Sequence, residues 1–187
     1  MNPRAQPLVI GVAECVDIPA WKIRGLPAKV DTGARSCALH VENLRELPGG
    51  HVRFDVPLSP GSPDRCMTID ARVIRRGRVR STSGEAKPRL FVSARIRLGP
   101  LERQVELGLV DRRQMQFPML IGRSAIARAC LVDVSRTYLI TGRPKSKKQR
   151  ELQRSIAARE KRVARRKPDA SRVLASHTRD GGRKRSQ

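Results

Sequence analysis

The apolar positions of this chain fall into short runs rather than long stripes. Leu8–Val16 is mostly apolar, and Leu26–Val30 leads directly into Asp31-Thr32-Gly33. His51–Val56 alternates, with Val52, Phe54 and Val56 on one face. Cys66–Ile74 alternates likewise through Met67, Ile69, Ala71 and Val73. A period of two marks a half-buried strand. Leu90–Leu98 and Leu101–Val110 flank Gly99-Pro100 and predict a hairpin, with Val105, Leu107 and Leu109 on the inner face of the second strand. Pro118–Ile121 is a short apolar run closed by Gly122. Ser124–Cys130 reads as one or two helical turns capped by Ser124. Leu131–Val134 and Thr137–Ile140 read as the last strands. Many short strands punctuated by Gly and Pro predict an all-β body, a closed or partly closed barrel with one short helix. No internal repeat is visible.

The pattern changes at Thr141-Gly142-Arg143-Pro144, where Gly and Pro end the last run. Residues 1–142 read as the folded domain and 143–187 as a basic tail. The tail holds 17 Lys+Arg against 4 Asp+Glu and no aromatic residue. Lys145–Lys167 is rich in helix formers and Pro168 stops it. Leu152, Ile156 and Val163 make only a thin apolar stripe. The tail is therefore expected to be partly helical or disordered, since it cannot bury enough apolar surface to offset its ordering entropy.

Composition narrows the function classes. The 187 residues carry a net charge of +23, and only 3% are aromatic, so the core must be aliphatic. No apolar run approaches the roughly 18 residues of a membrane span, and Leu8–Ala13 is short for the centre of a secretion signal. A cytoplasmic protein without membrane contact is expected. The cysteines at 15, 37, 66 and 130 form no C-x-x-C pair, which excludes a zinc ribbon or thioredoxin motif. They read as small buried hydrophobes. The chain has no H-E-x-x-H and no G-x-x-x-x-G-K-[ST]. Spacing does not require His40 and His51 to converge with Cys37 or Cys66. No metal, ATP or other cofactor is expected.

The sharpest chemical feature is the strand that runs into Asp31-Thr32-Gly33. Aspartic proteolysis wants this arrangement: a carboxylate, a hydroxyl able to bond a facing loop, and a glycine that lets backbone approach closely. The bland alternative is an ordinary turn, since all three are turn residues. Met119-Leu120-Ile121-Gly122-Arg123 adds a hydrophobic-hydrophobic-Gly strand of the kind that braces such a loop. Ordered blocks then match: Ala28–His40, Val79–Gly84, Asp111–Arg123, and Val132-Asp133-Val134 with Tyr138-Leu139. On these residues the chain resembles the retropepsin-like peptidases of RimB type, an older label for which is ATP-dependent zinc protease.

The resemblance implies a retropepsin-like lobe with Asp31, Thr32 and Gly33 catalytic and Leu120, Ile121, Gly122 and Arg123 supporting the site. Only one Asp-Thr-Gly is present, so a homodimer with Asp31 from each subunit is implied. Ala34, Arg35, Arg80, Ser81, Ser83 and Gly84 are the candidate substrate-binding residues. The stretch Arg80–Gly84 is either a flap-like hairpin, a substrate-gripping rim or a plain polar turn. Asp31 and Gly122 lie 91 residues apart, longer than a minimal lobe suggests, with Pro57–Arg65 as the candidate insertion. RimB-type members are linked to a ligase that adds glutamates to a small-subunit ribosomal protein, which implies a glutamate-rich peptide substrate. Positive charge suits an acidic peptide and RNA equally. Lys147, Lys148, Arg165 and Arg166 of the tail are candidate contacts to ribosomal RNA phosphates, with a solubilising tail as the alternative. The competing reading of the whole chain is a noncatalytic, ribosome- or RNA-associated accessory that modulates a glutamate ligase.

Overall fold

The computed structural model describes residues 6–58, 66–80 and 86–144. Eleven strands and one short helix follow in order: β1 Leu8–Gly11, β2 Ala13–Ile18, β3 Ile23–Asp31, β4 Cys37–His40, β5 Glu42–Leu47, β6 His51–Pro57, β7 Cys66–Arg80, β8 Ala86–Leu98, β9 Leu101–Val110, β10 Met119–Gly122, α1 Arg123–Ile126 and β11 Cys130–Asp133. The main sheet runs β2-β3-β10-β4-β9-β8-β7-β6-β5, and β2 also pairs with β8. That last pairing, at Asp17↔Arg97, closes β2, β3, β10, β4, β9 and β8 into a ring. Closure removes the free edges of an open sheet. The fold is all-β and retropepsin-like. Strands β7, β6 and β5 extend it as antiparallel hairpins. Strands β1 and β11 pair in parallel as a separate two-stranded sheet.

Alternation fills the barrel. Leu26, Ala28 and Val30 of β3 face inward, as do Val92, Ala94, Ile96 and Leu98 of β8, Val105, Leu107 and Leu109 of β9, and Met119 and Ile121 of β10, all buried. Each fully buried aliphatic side chain contributes about 1.5–3 kcal/mol relative to exposure. Val52, Phe54 and Val56 are sealed from solvent, and Trp21 packs edge-on against Phe54 at 5.7 Å between ring centres. The β8–β9 hairpin turns at Gly99-Pro100, where Gly99 takes a φ of +56° that a side chain would resist.

Four expectations from sequence need correction. Leu8–Val16 is two strands, because β1 pairs with β11 and β2 with β3. Thr137–Ile140 is not a strand: the buried Glu14 carboxylate accepts hydrogen bonds from the amides of Leu139, Ile140 and Thr141, which leaves that segment in turns. The helix is Arg123–Ile126 and Ser124 does not cap it. The carbonyls of Ala34 and Arg35 take the first amides, those of Arg123 and Ser124. Cys15 and Cys37 are buried, but Cys66 is exposed at the start of β7. The candidate insertion falls largely outside the described residues, and the tail falls outside them after Pro144. Among the described residues no helix is long and apolar enough to cross a membrane.

Candidate active site

Strand β3 delivers Asp31 to the mouth of the barrel. Val30 points into the core and Asp31, one residue on, emerges half-buried. One carboxylate oxygen, Oδ1, accepts from the amides of Gly33 at 2.9 Å and Ala34 at 3.0 Å. These bonds fix the carboxylate against its own loop. Among the described residues, Oδ2 has no hydrogen-bond donor.

Strand β10 braces this loop. It lies between β3 and β4, with Gly122 in register with Asp31. A Cβ on Gly122 would sit 2.4 Å from the Ser36 carbonyl oxygen and 2.5 Å from its carbon, so only glycine lets the loop cross here. The Gly122 amide donates to Cys37 Sγ at 3.4 Å. Burial pushes the Cys37 thiol up to about 11, outweighing that amide. Cys37 is thus a neutral packing group rather than a nucleophile. Arg123 follows and its Nη1 donates to the carbonyls of Thr32 at 2.9 Å and Gly33 at 2.7 Å. The loop is held from three sides by β10, Arg123 and the first turn of α1.

Leu120, Ile121, Gly122 and Arg123 are therefore grouped around Asp31-Thr32-Gly33. Ala34 and Arg35 enter through their backbones, donating to Asp31 or accepting from α1. The Thr32 hydroxyl and the Arg35 side chain are exposed, without a hydrogen-bond or ion-pair partner among the described residues. Arg80 ends β7 in register with Ala86. Ser81, Ser83 and Gly84 lie outside the described residues, as do Lys147, Lys148, Arg165 and Arg166.

Two site neighbours escaped the sequence reading. Arg112, just past β9, is half-buried; its Nε donates to the Phe117 carbonyl at 3.2 Å and its amide to His40 Nδ1 at 2.9 Å. Burial holds its guanidinium below the usual arginine range, and the charge of Asp31 opposes that effect. Arg89 on β8 is likewise lowered, first by burial and then by the like charge of Arg112. In a chain with 40 Lys+Arg, nothing in the local pattern singles out these two. Among the described residues no group of three or more His, Cys, Asp or Glu is placed to hold a metal ion. His40, the buried histidine, is occupied by the Arg112 amide and by Glu42 at 3.5 Å. Among the described residues the donor set does not fit a zinc site.

A closed barrel whose Asp-Thr-Gly loop is braced by a hydrophobic-hydrophobic-Gly strand defines the retropepsin-like class. The profile of the RimB-like family, described as retropepsin-like aspartic endopeptidase RimB, matches residues 9–143, and the chain belongs to that family. Proteins of Shewanella pealeana and Shewanella halifaxensis, each named probable alpha-L-glutamate ligase, are 30% and 31% identical over 135 residues, 71% of this chain and 30% of their own length. A Parasynechococcus marenigrum protein of the same name is 30% identical over 129 residues. The chain spans under a third of the length of these curated relatives. The crystal structure of Lpg0085 from Legionella pneumophila, described as of unknown function, superposes with a TM-score of 0.60 at 26% identity. It covers 73% of this chain and 100% of Lpg0085.

Proposed function

We propose that this chain is one subunit of a homodimeric aspartic peptidase that hydrolyses peptide bonds in acidic, glutamate-rich segments. The observation that carries the reading is the Asp31 carboxylate, held at one oxygen by two loop amides and, among the described residues, without a donor at the other. One chain supplies one such carboxylate, so a second copy completes the pair. Two carboxylates that close share a single proton. The ionised one takes a proton from water as the water oxygen attacks the scissile carbonyl carbon. The protonated one gives its proton to the carbonyl oxygen. Collapse of the tetrahedral diol breaks the C–N bond, and a proton passes to the leaving amine. The apparent pKa values of such a pair belong to both carboxylates together.

The substrate class rests on the company this domain keeps. Relatives carry it within a longer chain named a glutamate ligase. Joined domains commonly meet one substrate, so a glutamate-bearing peptide, such as a ribosomal-protein tail, is the first to try. The same observation favours a second reading, an accessory that modulates a ligase without chemistry of its own. Incubating the full chain and Asp31→Asn with a glutamate-extended peptide, and weighing the products by mass spectrometry, separates the two. Cleavage by the wild type alone supports the peptidase. Equal results from both proteins contradict it.

A further inference from the structure

We propose that the outer part of the β7–β8 hairpin is a docking arm for double-stranded DNA, seated in the major groove with its cations against the phosphates. The inference stands apart from Asp31 and from the peptidase reading.

The register makes the arm. The β6–β7 ladder ends at His51↔Arg72, and the β8–β9 ladder starts at Phe91↔Gly108. Between these limits residues 76–80 and 86–90 pair only with each other, from Arg76↔Leu90 to Arg80↔Ala86. Among the described residues no further strand covers either edge. Five rungs at 3.4 Å each give a two-stranded ribbon about 17 Å long.

Its side chains are cationic on both faces. Alternation puts Arg76 and Arg78 on one face with Pro88 and Leu90, and Arg75, Lys87 and Arg89 on the other with Phe91. A Cβ on Gly77 would meet Arg75 Nη1 at 2.6 Å and Phe91 at 3.4 Å, which fixes the second face. Arg75, Arg76, Arg78 and Lys87 are exposed and Arg89 is half-buried. No Asp or Glu occurs in 72–80 or 86–101. Near the body two arginines are neutralised, Arg75 by Glu106 at 3.0 Å and Arg76 by Glu46 at 3.0 Å. Farther out, Arg78 donates to the Ala86 carbonyl at 3.1 Å and, among the described residues, has no carboxylate within 4 Å.

The shape selects the partner. A peptide laid on a sheet meets one face. The major groove of B-form DNA, about 12 Å wide, admits a two-stranded ribbon and walls it with phosphates on both sides. The major groove of an RNA duplex is too narrow. Single strands are held by stacking on aromatic side chains, and Phe91 is buried, with Arg75 stacked on it at 3.7 Å.

The test is binding of a labelled DNA duplex and an RNA duplex of the same sequence to the full chain, by fluorescence anisotropy across a salt series. The wild type is expected to prefer the DNA duplex several-fold, because the tail senses charge alone. Arg78→Gln/Arg80→Gln/Lys87→Gln is expected to lose that preference. Its log–log salt slope on DNA becomes shallower by about 2.7, about 0.9 for each phosphate contact removed. Arg24→Gln/Arg45→Gln/Arg128→Gln deletes the same charge at exposed positions off the ribbon and keeps both. Thermal melting of each variant checks that it folds. Hydrogen exchange of the wild type needs no variant: added DNA slows residues 76–80 and 86–90. The proposal is overturned if the two triple variants weaken equally, or if the ribbon variant binds as the wild type does. It is also overturned if RNA binds as tightly as DNA, if polyglutamate of equal charge displaces the DNA as readily as unlabelled duplex, or if exchange in the ribbon is unchanged.

Discussion

Gly122 meets the Ser36 carbonyl so closely that a methyl group there requires backbone to move. Gly122→Ala is expected to cost about 1–3 kcal/mol, as overpacking of a closed core does, and to lower the urea midpoint. An unchanged midpoint would mean the loop does not cross β10 as described. Cys37 gives a second residue-scale prediction. Its thiol titrates near 11 in the fold against 9.0 for an ordinary thiol. The fold favours the neutral form, so this group leaves stability unchanged below about pH 9 and reduces it as pH rises from 9 toward 11. At pH 8 iodoacetamide is expected to label exposed Cys66 and spare Cys37. Equal labelling rates would contradict the buried placement. The resemblance made Asp31, Gly122 and Arg123 legible because backbone geometry demands those residues. Arg89 and Arg112 were not legible, since their half-burial comes from strands distant in the chain, and a sequence does not display that packing.

Glu14 is the element-scale counterpart. Its buried carboxylate accepts from the amides of Gly11, Leu139, Ile140 and Thr141 and from the Thr141 hydroxyl. It ties the β1–β2 junction to the segment after β11. Glu14→Gln replaces one acceptor oxygen by a donor facing other donors, and is expected to cost about 1–3 kcal/mol. Hydrogen exchange should then quicken at Leu139–Thr141 first; uniform protection would show that the staple is dispensable. This staple also explains why Thr137–Ile140, apolar enough to suggest a strand, is not one. Strands β6 and β9 were readable because one face is buried and the other wet. Strand β4 is buried throughout and only four residues long, and β5 has no buried residue and its two leucines stand three apart, so neither carries a period-two signal. The outer arms of β7 and β8, around Arg75–Arg80, have the same defect.

At the scale of the whole molecule, the proposed site is half a site. Val9 and Leu131 are register partners on the β1–β11 sheet, each about half exposed, and Val134 follows at 80% exposure. The carbonyl of Val12, between β1 and β2, accepts from the Val30 amide, one residue from Asp31. The proposed homodimer requires a contact between copies, and this apolar edge is where that proposal is tested. Leu131→Asp is expected to shift the protein to monomer in sedimentation and to abolish hydrolysis together; an active monomer would refute it. The central claim, that two Asp31 carboxylates act as one site, is tested most directly by mixing subunits. Wild type and Asp31→Asn are unfolded together in equal amounts, refolded, and assayed on the glutamate-extended peptide per total chain. Random pairing leaves about a quarter of dimers with both carboxylates. The account predicts activity near a quarter of the wild-type value. Activity near one half would mean each Asp31 works alone, and would contradict it.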